Sequence, residues 1–299
     1  MRQKMRKVSM VLMALAACAL LVGPTAQAAD YDKPIKIGWT AWSTAEANTK
    51  LIKRILEDKM GYDVELMMSG IGIQYQGLST GDIDLMLMAW LPTTHKDYWE
   101  KFAGEVVNLG PIYTRARLGW AVPAYIPEDT LSSIQDLTKP EVAKKLNKKI
   151  TGIDPGAGIM QASEKAMEEY GLSDAGYELV SSSGAGMTAA LARSIKRDDW
   201  AVVTAWSPHW KFAKWDLRYL DDPKGLLGGK ERVHCLARKG FYQDVPYEVF
   251  EFFVRYNIPI DDLEQLMLEA RNSSYEKAVD KYIKNNPKRI QYWMTGEFE

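Results

Sequence analysis

From residue 35 onward the apolar positions switch repeatedly between two spacings. IKIGW (35–39) predicts a strand, and AEANTKLIKRILEDKM (45–60) places Leu51, Ile52, Ile55 and Leu56 at helical spacing. YDVELMM (62–68) predicts a second strand, IQYQGL (73–78) a short helix, and IDLMLMAW (83–90) a continuous apolar run of the kind that parallel sheets bury on both faces. The same order then returns: strand 148–153, helix 158–171, strand 177–182, helix 186–198, strand 200–206. Strands alternating with helices predict an α/β fold built from βα units. Towards the C-terminus, DDLEQLMLEARN and SYEKAVDKYIKNN carry apolar stripes and charged opposite faces, which reads as helices packed on a surface.

The repetition extends to residue identity. LMLMAWLPTTH (85–95) and VVTAWSPHW (202–210) both end an apolar strand with Ala-Trp-x-Pro, and their tryptophans, Trp90 and Trp206, are 116 residues apart. The same offset carries Trp42, in the first strand-to-helix loop, onto Gly158 in the corresponding loop of the second half. SGIGIQ (69–74) and SSGAGM (182–187) match as glycine-rich starts of the next helix. The pattern implies an internal duplication with one α/β lobe per half: residues 29–115 plus 217–299 form the first and 116–216 the second. Ligands of open α/β sheets bind beyond the carboxyl ends of the strands, so facing lobes would bring Trp90 and Trp206 into one cleft.

The N-terminus stands apart from this pattern. MRQKMRK precedes the apolar run VSMVLMALAACALLVG, and Ala26-Gln27-Ala28 offers an A-x-A cleavage site, so residues 1–28 read as a secretory signal. Cys18 gives a second possibility, a lipid-bearing cysteine after Leu15-Ala16-Ala17. With four basic residues assigned to that leader, the remainder carries 34 basic and 39 acidic side chains, a net charge of −5 that offers no general attraction to nucleic acid or anionic lipid. At 46% hydrophobic and 26% charged, the chain is an ordinary globular one. Only Cys235 would remain after cleavage, and a single thiol closes no internal disulfide. It lies in the alternating stretch RVHCLARKG, where His234 points to the opposite strand face, so a buried strand thiol fits better than a nucleophile.

Ten tryptophans concentrate the chemistry. Trp42, Trp90 and Trp206 all follow apolar strands at turns, where exposure is more natural than a core role. Several indoles in a closing cleft suit a cation that cannot donate hydrogen bonds, such as a quaternary ammonium, each face contributing roughly 0.5 to 2 kcal/mol. For an anionic end of the same ligand, Gly156-Ala157-Gly158-Ile159 opens a helix whose first amides favour a carboxylate, and His95 is five residues from Trp90. Trp39, Trp99, Trp200, Trp210, Trp215 and Trp293 read as packing residues, Trp120 is open, and His209 reads as lobe-surface or hinge structure. There is no Lys-Ser/Thr phosphate loop, no H-E-x-x-H, no cysteine pair and no G-x-S-x-G, so neither metal nor cofactor is expected.

AWLPTTHKDYW, GIDPGAGIM, VSSSGAGMTAAL and VVTAWSPHW together resemble the substrate-binding proteins of ABC-type glycine betaine/proline betaine importers, over nearly the whole chain after residue 28. The resemblance implies a two-lobed periplasmic-binding-protein fold of type II, each lobe a mixed sheet flanked by helices with a hinge between. It implies a tryptophan prism of Trp42, Trp90 and Trp206, a carboxylate held by His95 and the amides of Gly158 and Ile159, and delivery to a membrane permease. It makes the chain a periplasmic monomer that binds without catalysis. Choline-binding relatives place an acid just after the first tryptophan, where this chain has Ser43 and Thr44, although Asp154 lies close to the helix start. Choline, carnitine and ectoine are the alternative ligands. An enzyme acting on a quaternary amine, with His95 or Cys235 as catalyst, is the rival from another class.

Overall fold

The computed structural model describes residues 31–297; the expected leader and Cys18 lie outside them. Strand β1 (Ile35–Trp39) leads through Trp42 into helix α1 (Ser43–Ile55), followed by β2 (Val64–Met68), α2 (Ile71–Thr80), β3 (Leu85–Leu91) and α3 (Lys96–Phe102). Every residue of β3 is buried, as its unbroken apolar sequence requires of a strand covered on both faces. α1 turns Leu51, Ile52 and Ile55 inward and packs against β1 and β3. It begins two residues before the helical spacing does, because extended Trp42 already caps it.

The 18-residue β4 (Val106–Pro123) then leads into β5 (Lys149–Thr151), α4 (Gly158–Glu169), β6 (Glu178–Val180), α5 (Gly184–Lys196), β7 (Val202–Ser207), α6 (Trp210–Lys214), β8 (Leu217–Tyr219) and β9 (Lys230–Arg238). Further helices follow, among them α7 (Ile260–Asn272). One sheet runs in the order β2-β1-β3-β9-β4-β7-β5-β6, with β8 on β4. Its two ends repeat one another: β1 lies between β2 and β3, all parallel, and β5 lies between β6 and β7, all parallel. The Ala-Trp-x-Pro segments close β3 and β7, and in both the peptide bond before the proline is cis.

Only β4 and β9 run between the two ends. β4 pairs with β9 from Val106 to Arg117, through three register shifts, and with β7 from Arg117 to Ala121. Arg115, at φ 62°, sits at this changeover. Beyond it a separate core gathers Trp120, Val122, Ile150, Ala166, Tyr177 and Val202. Trp120 is thereby a core residue, donating its Nε1–H to Ser163 Oγ at 2.8 Å. Leu220 and Leu227 belong to the same core. β8 pairs with the far end of β4, next to this core.

Candidate functional site

The carboxyl ends of β1, β3, β5 and β7 converge on one cavity. Trp42, Trp90, His95, Gly158, Ile159 and Trp206, all picked out in the sequence, are among its lining residues, as are Thr94, Leu118, Ile153 and Ala157. The three tryptophans are only 4–6% exposed. Their burial is shared between the cavity wall and neighbouring side chains, His209 and Lys211 among them at Trp206. None of the ten lining residues is Asp, Glu, Lys or Arg.

The loop after β3 is folded back on itself. His95 donates its backbone N–H to Trp90 O at 2.9 Å, and Trp90 N–H donates to His95 Nδ1 at 3.2 Å. An accepting Nδ1 leaves the proton on Nε2, making the neutral ring a donor. Complete burial pushes the His95 pKa down to about 3, so it adds no positive charge to the cavity. The loop is anchored by Glu231, a carboxylate only 1% exposed, which accepts from Thr93 N–H (3.3 Å), Thr94 N–H (3.1 Å) and Thr94 Oγ1 (3.0 Å). Sequence offers little to find Glu231, an isolated acid in a polar stretch; its burial follows from pairing with Ala116 where the two long strands cross.

From the second lobe comes the start of α4. The turn ahead of it includes Gly156 at φ 84°, a conformation that favours glycine. The amides of Gly158 and Ile159 open the helix and have no acceptor in a preceding turn. Gly158 is required by proximity: a Cβ there would lie 2.4 Å from Thr94 O and 3.0 Å from His95 Cδ2. Three hydrogen bonds join this turn and helix to the first half of the chain. Trp42 donates its Nε1–H to Asp154 Oδ1 at 2.8 Å, and Tyr98 OH donates to Gly156 O at 2.9 Å while accepting from Gln161 Nε2 at 3.2 Å.

The other sequence candidates sit elsewhere. His209 is buried, not on a lobe surface: its Nδ1 accepts from Lys211 N–H at 3.0 Å and its ring meets Trp206 edge-on at 4.9 Å. Cys235 is buried inside β9, where burial pushes its thiol pKa up and leaves it unreactive. Among the described residues no group of His, Cys, Asp and Glu could hold a metal ion, and no helix is long and apolar enough to cross a membrane.

Residues 33–285 match the family model described as the substrate binding domain of the ABC-type glycine betaine transport system. The chain belongs to this family. A glycine betaine/carnitine transport binding protein, GbuC of Listeria monocytogenes, is 41% identical over 161 residues, spanning 53% of each chain, so the match covers about half the length of that curated relative. Lactococcal OpuAC, solved closed with glycine betaine, is 36% identical with a TM-score of 0.81, covering 88% of this chain and all of that one. An ABC-transporter choline-binding protein solved with choline is 26% identical with a TM-score of 0.78, covering 87% of this chain and 91% of that one. The glycine betaine family member described here thus has the two-lobed type II periplasmic-binding-protein fold and is a solute-binding protein, not an enzyme.

Proposed function

We propose that this chain captures glycine betaine, or the closely similar proline betaine, between its lobes and delivers it to a membrane permease for uptake as an osmoprotectant. The observation that carries the reading is one cavity in which three indoles, a neutral histidine and two helix-start amides meet without a charged side chain. Trp42, Trp90 and Trp206 face the trimethylammonium, each contributing roughly 0.5 to 2 kcal/mol. At the other end, His95 Nε2–H and the amides of Gly158 and Ile159 donate to the carboxylate, aided by the positive end of the α4 dipole.

Ligand and closure reinforce one another: betaine touches both lobes, and the bonds from Trp42 to Asp154 and from Tyr98 to Gly156 form only when they meet. In this reading the protein works outside the cytoplasm, in the periplasm, as a monomer, after removal of residues 1–28.

Choline is the second reading, favoured by Asp154 directly behind Trp42 and by the choline-binding neighbour. Calorimetric and fluorescence titrations with glycine betaine, proline betaine, choline and carnitine decide between them. The expected result is saturable micromolar binding of a betaine with choline much weaker. Tighter choline binding would leave the aromatic cage in place but withdraw the carboxylate role of His95 and the α4 amides.

A further inference from the structure

Behind one wall of the cavity lies a buried amine. Lys211, in α6, is 0% exposed; its Nζ stands 4.3 Å from the centre of the Trp206 ring and 5.4 Å from that of Phe212, without a hydrogen-bond partner. Lysines are almost never fully buried unless paired, and here none of the surrounding charges bonds to Nζ. Trp206 lines the cavity, Lys211 does not, and the amine lies over the Trp206 ring.

We propose that Lys211 tunes ligand affinity through Trp206: its ammonium form and a cation in the cavity compete across one indole ring, so binding expels the Lys211 proton and affinity depends on pH. This rests on reading the cavity as a cation site. An aromatic ring attracts a cation to either face, but the two cations then repel one another. Binding therefore favours the neutral amine, and affinity rises with pH through the pKa of Lys211. Burial already lowers that pKa well below the usual lysine value.

The groups around Lys211 do not supply the same effect. On its own element, His209 is held neutral by burial and by Lys211 itself, and Lys214 lies over the Trp210 and Trp215 rings. From α7, which packs on α6, Glu264 accepts the His209 backbone N–H and Arg271 lies over Trp210, with Asp261 a turn before Glu264. From the sheet, Arg117 lies over Tyr219, whose hydroxyl bonds to Ser207 and whose ring stacks on Phe212. Of these, Glu264 is the carboxylate whose pKa burial raises, so it is the necessary control.

The test is calorimetry of glycine betaine binding to the whole protein from pH 5 to 9, in buffers of different ionisation enthalpy. Wild type should lose affinity on the order of tenfold towards the acid end and release protons on binding. Lys211→Met should bind with the high-pH affinity throughout and release none, while Glu264→Gln should behave as wild type. Wild-type binding without proton release overturns the proposal even if Lys211→Met fails to fold, and so does a Lys211→Met protein that keeps the wild-type slope. Absence of betaine binding at every pH would instead overturn the cavity reading itself.

Discussion

Trp42 turns its one polar atom away from the ligand space to Asp154, and this leaves its ring face to work as an apolar, electron-rich wall. Replacing Trp90 or Trp206 with alanine should weaken betaine binding by about 1 to 2 kcal/mol in a folded protein, measured by calorimetry; unchanged affinity would remove that residue from the cage. Gly158 sets a different constraint. Since an added methyl would overlap Thr94 O, Gly158→Ala should hinder closure, and X-ray scattering should show less ligand-induced compaction than in wild type. His95 governs stability as well as recognition. Its pKa in the folded protein is about 3 against an ordinary 6.5, so below pH 6.5 the unfolded chain binds the extra proton and folding weakens as pH falls. That loss reaches up to about 1.4 kcal/mol per pH unit for one such group. In urea denaturation at pH 7 and pH 5, His95→Gln should lose less stability than wild type, with buried His209 sustaining the remainder.

At the scale of elements, the loop between β3 and α3 and the start of α4 form the two jaws, and each is held from behind. Tyr98 in α3 stacks on Tyr75 of α2 at 5.2 Å while its hydroxyl reaches across to Gly156 and Gln161. It lies outside the cavity lining, so Tyr98→Phe, which removes both of these hydrogen bonds, should raise the dissociation rate about fivefold or more, with little change in association in stopped-flow fluorescence. Much of this level was legible in the sequence. Alternating βα periodicity located the six parallel strands, and the turn at Trp42, the repeated Ala-Trp-x-Pro with His95 nearby and the Gly156–Ile159 helix start picked out six of the lining residues. Leu118, Ile153, Glu231 and the continuation of the second core to Leu227 were not legible. They depend on which strands lie beside which, and apolar spacing along one strand carries no record of its neighbours.

Across the described residues one sheet carries both halves, joined through the adjacent antiparallel strands β4 and β9. Register shifts and the left-handed Arg115 concentrate at that crossing. The arrangement also fixes an order of assembly. All that the second core needs lies between residues 120 and 227, one uninterrupted stretch of chain. The first sheet needs β9 between β3 and β4, so it waits for a strand beginning at Lys230. A chain folding from its N-terminus can therefore complete the inserted half first and then finish the half in which it began.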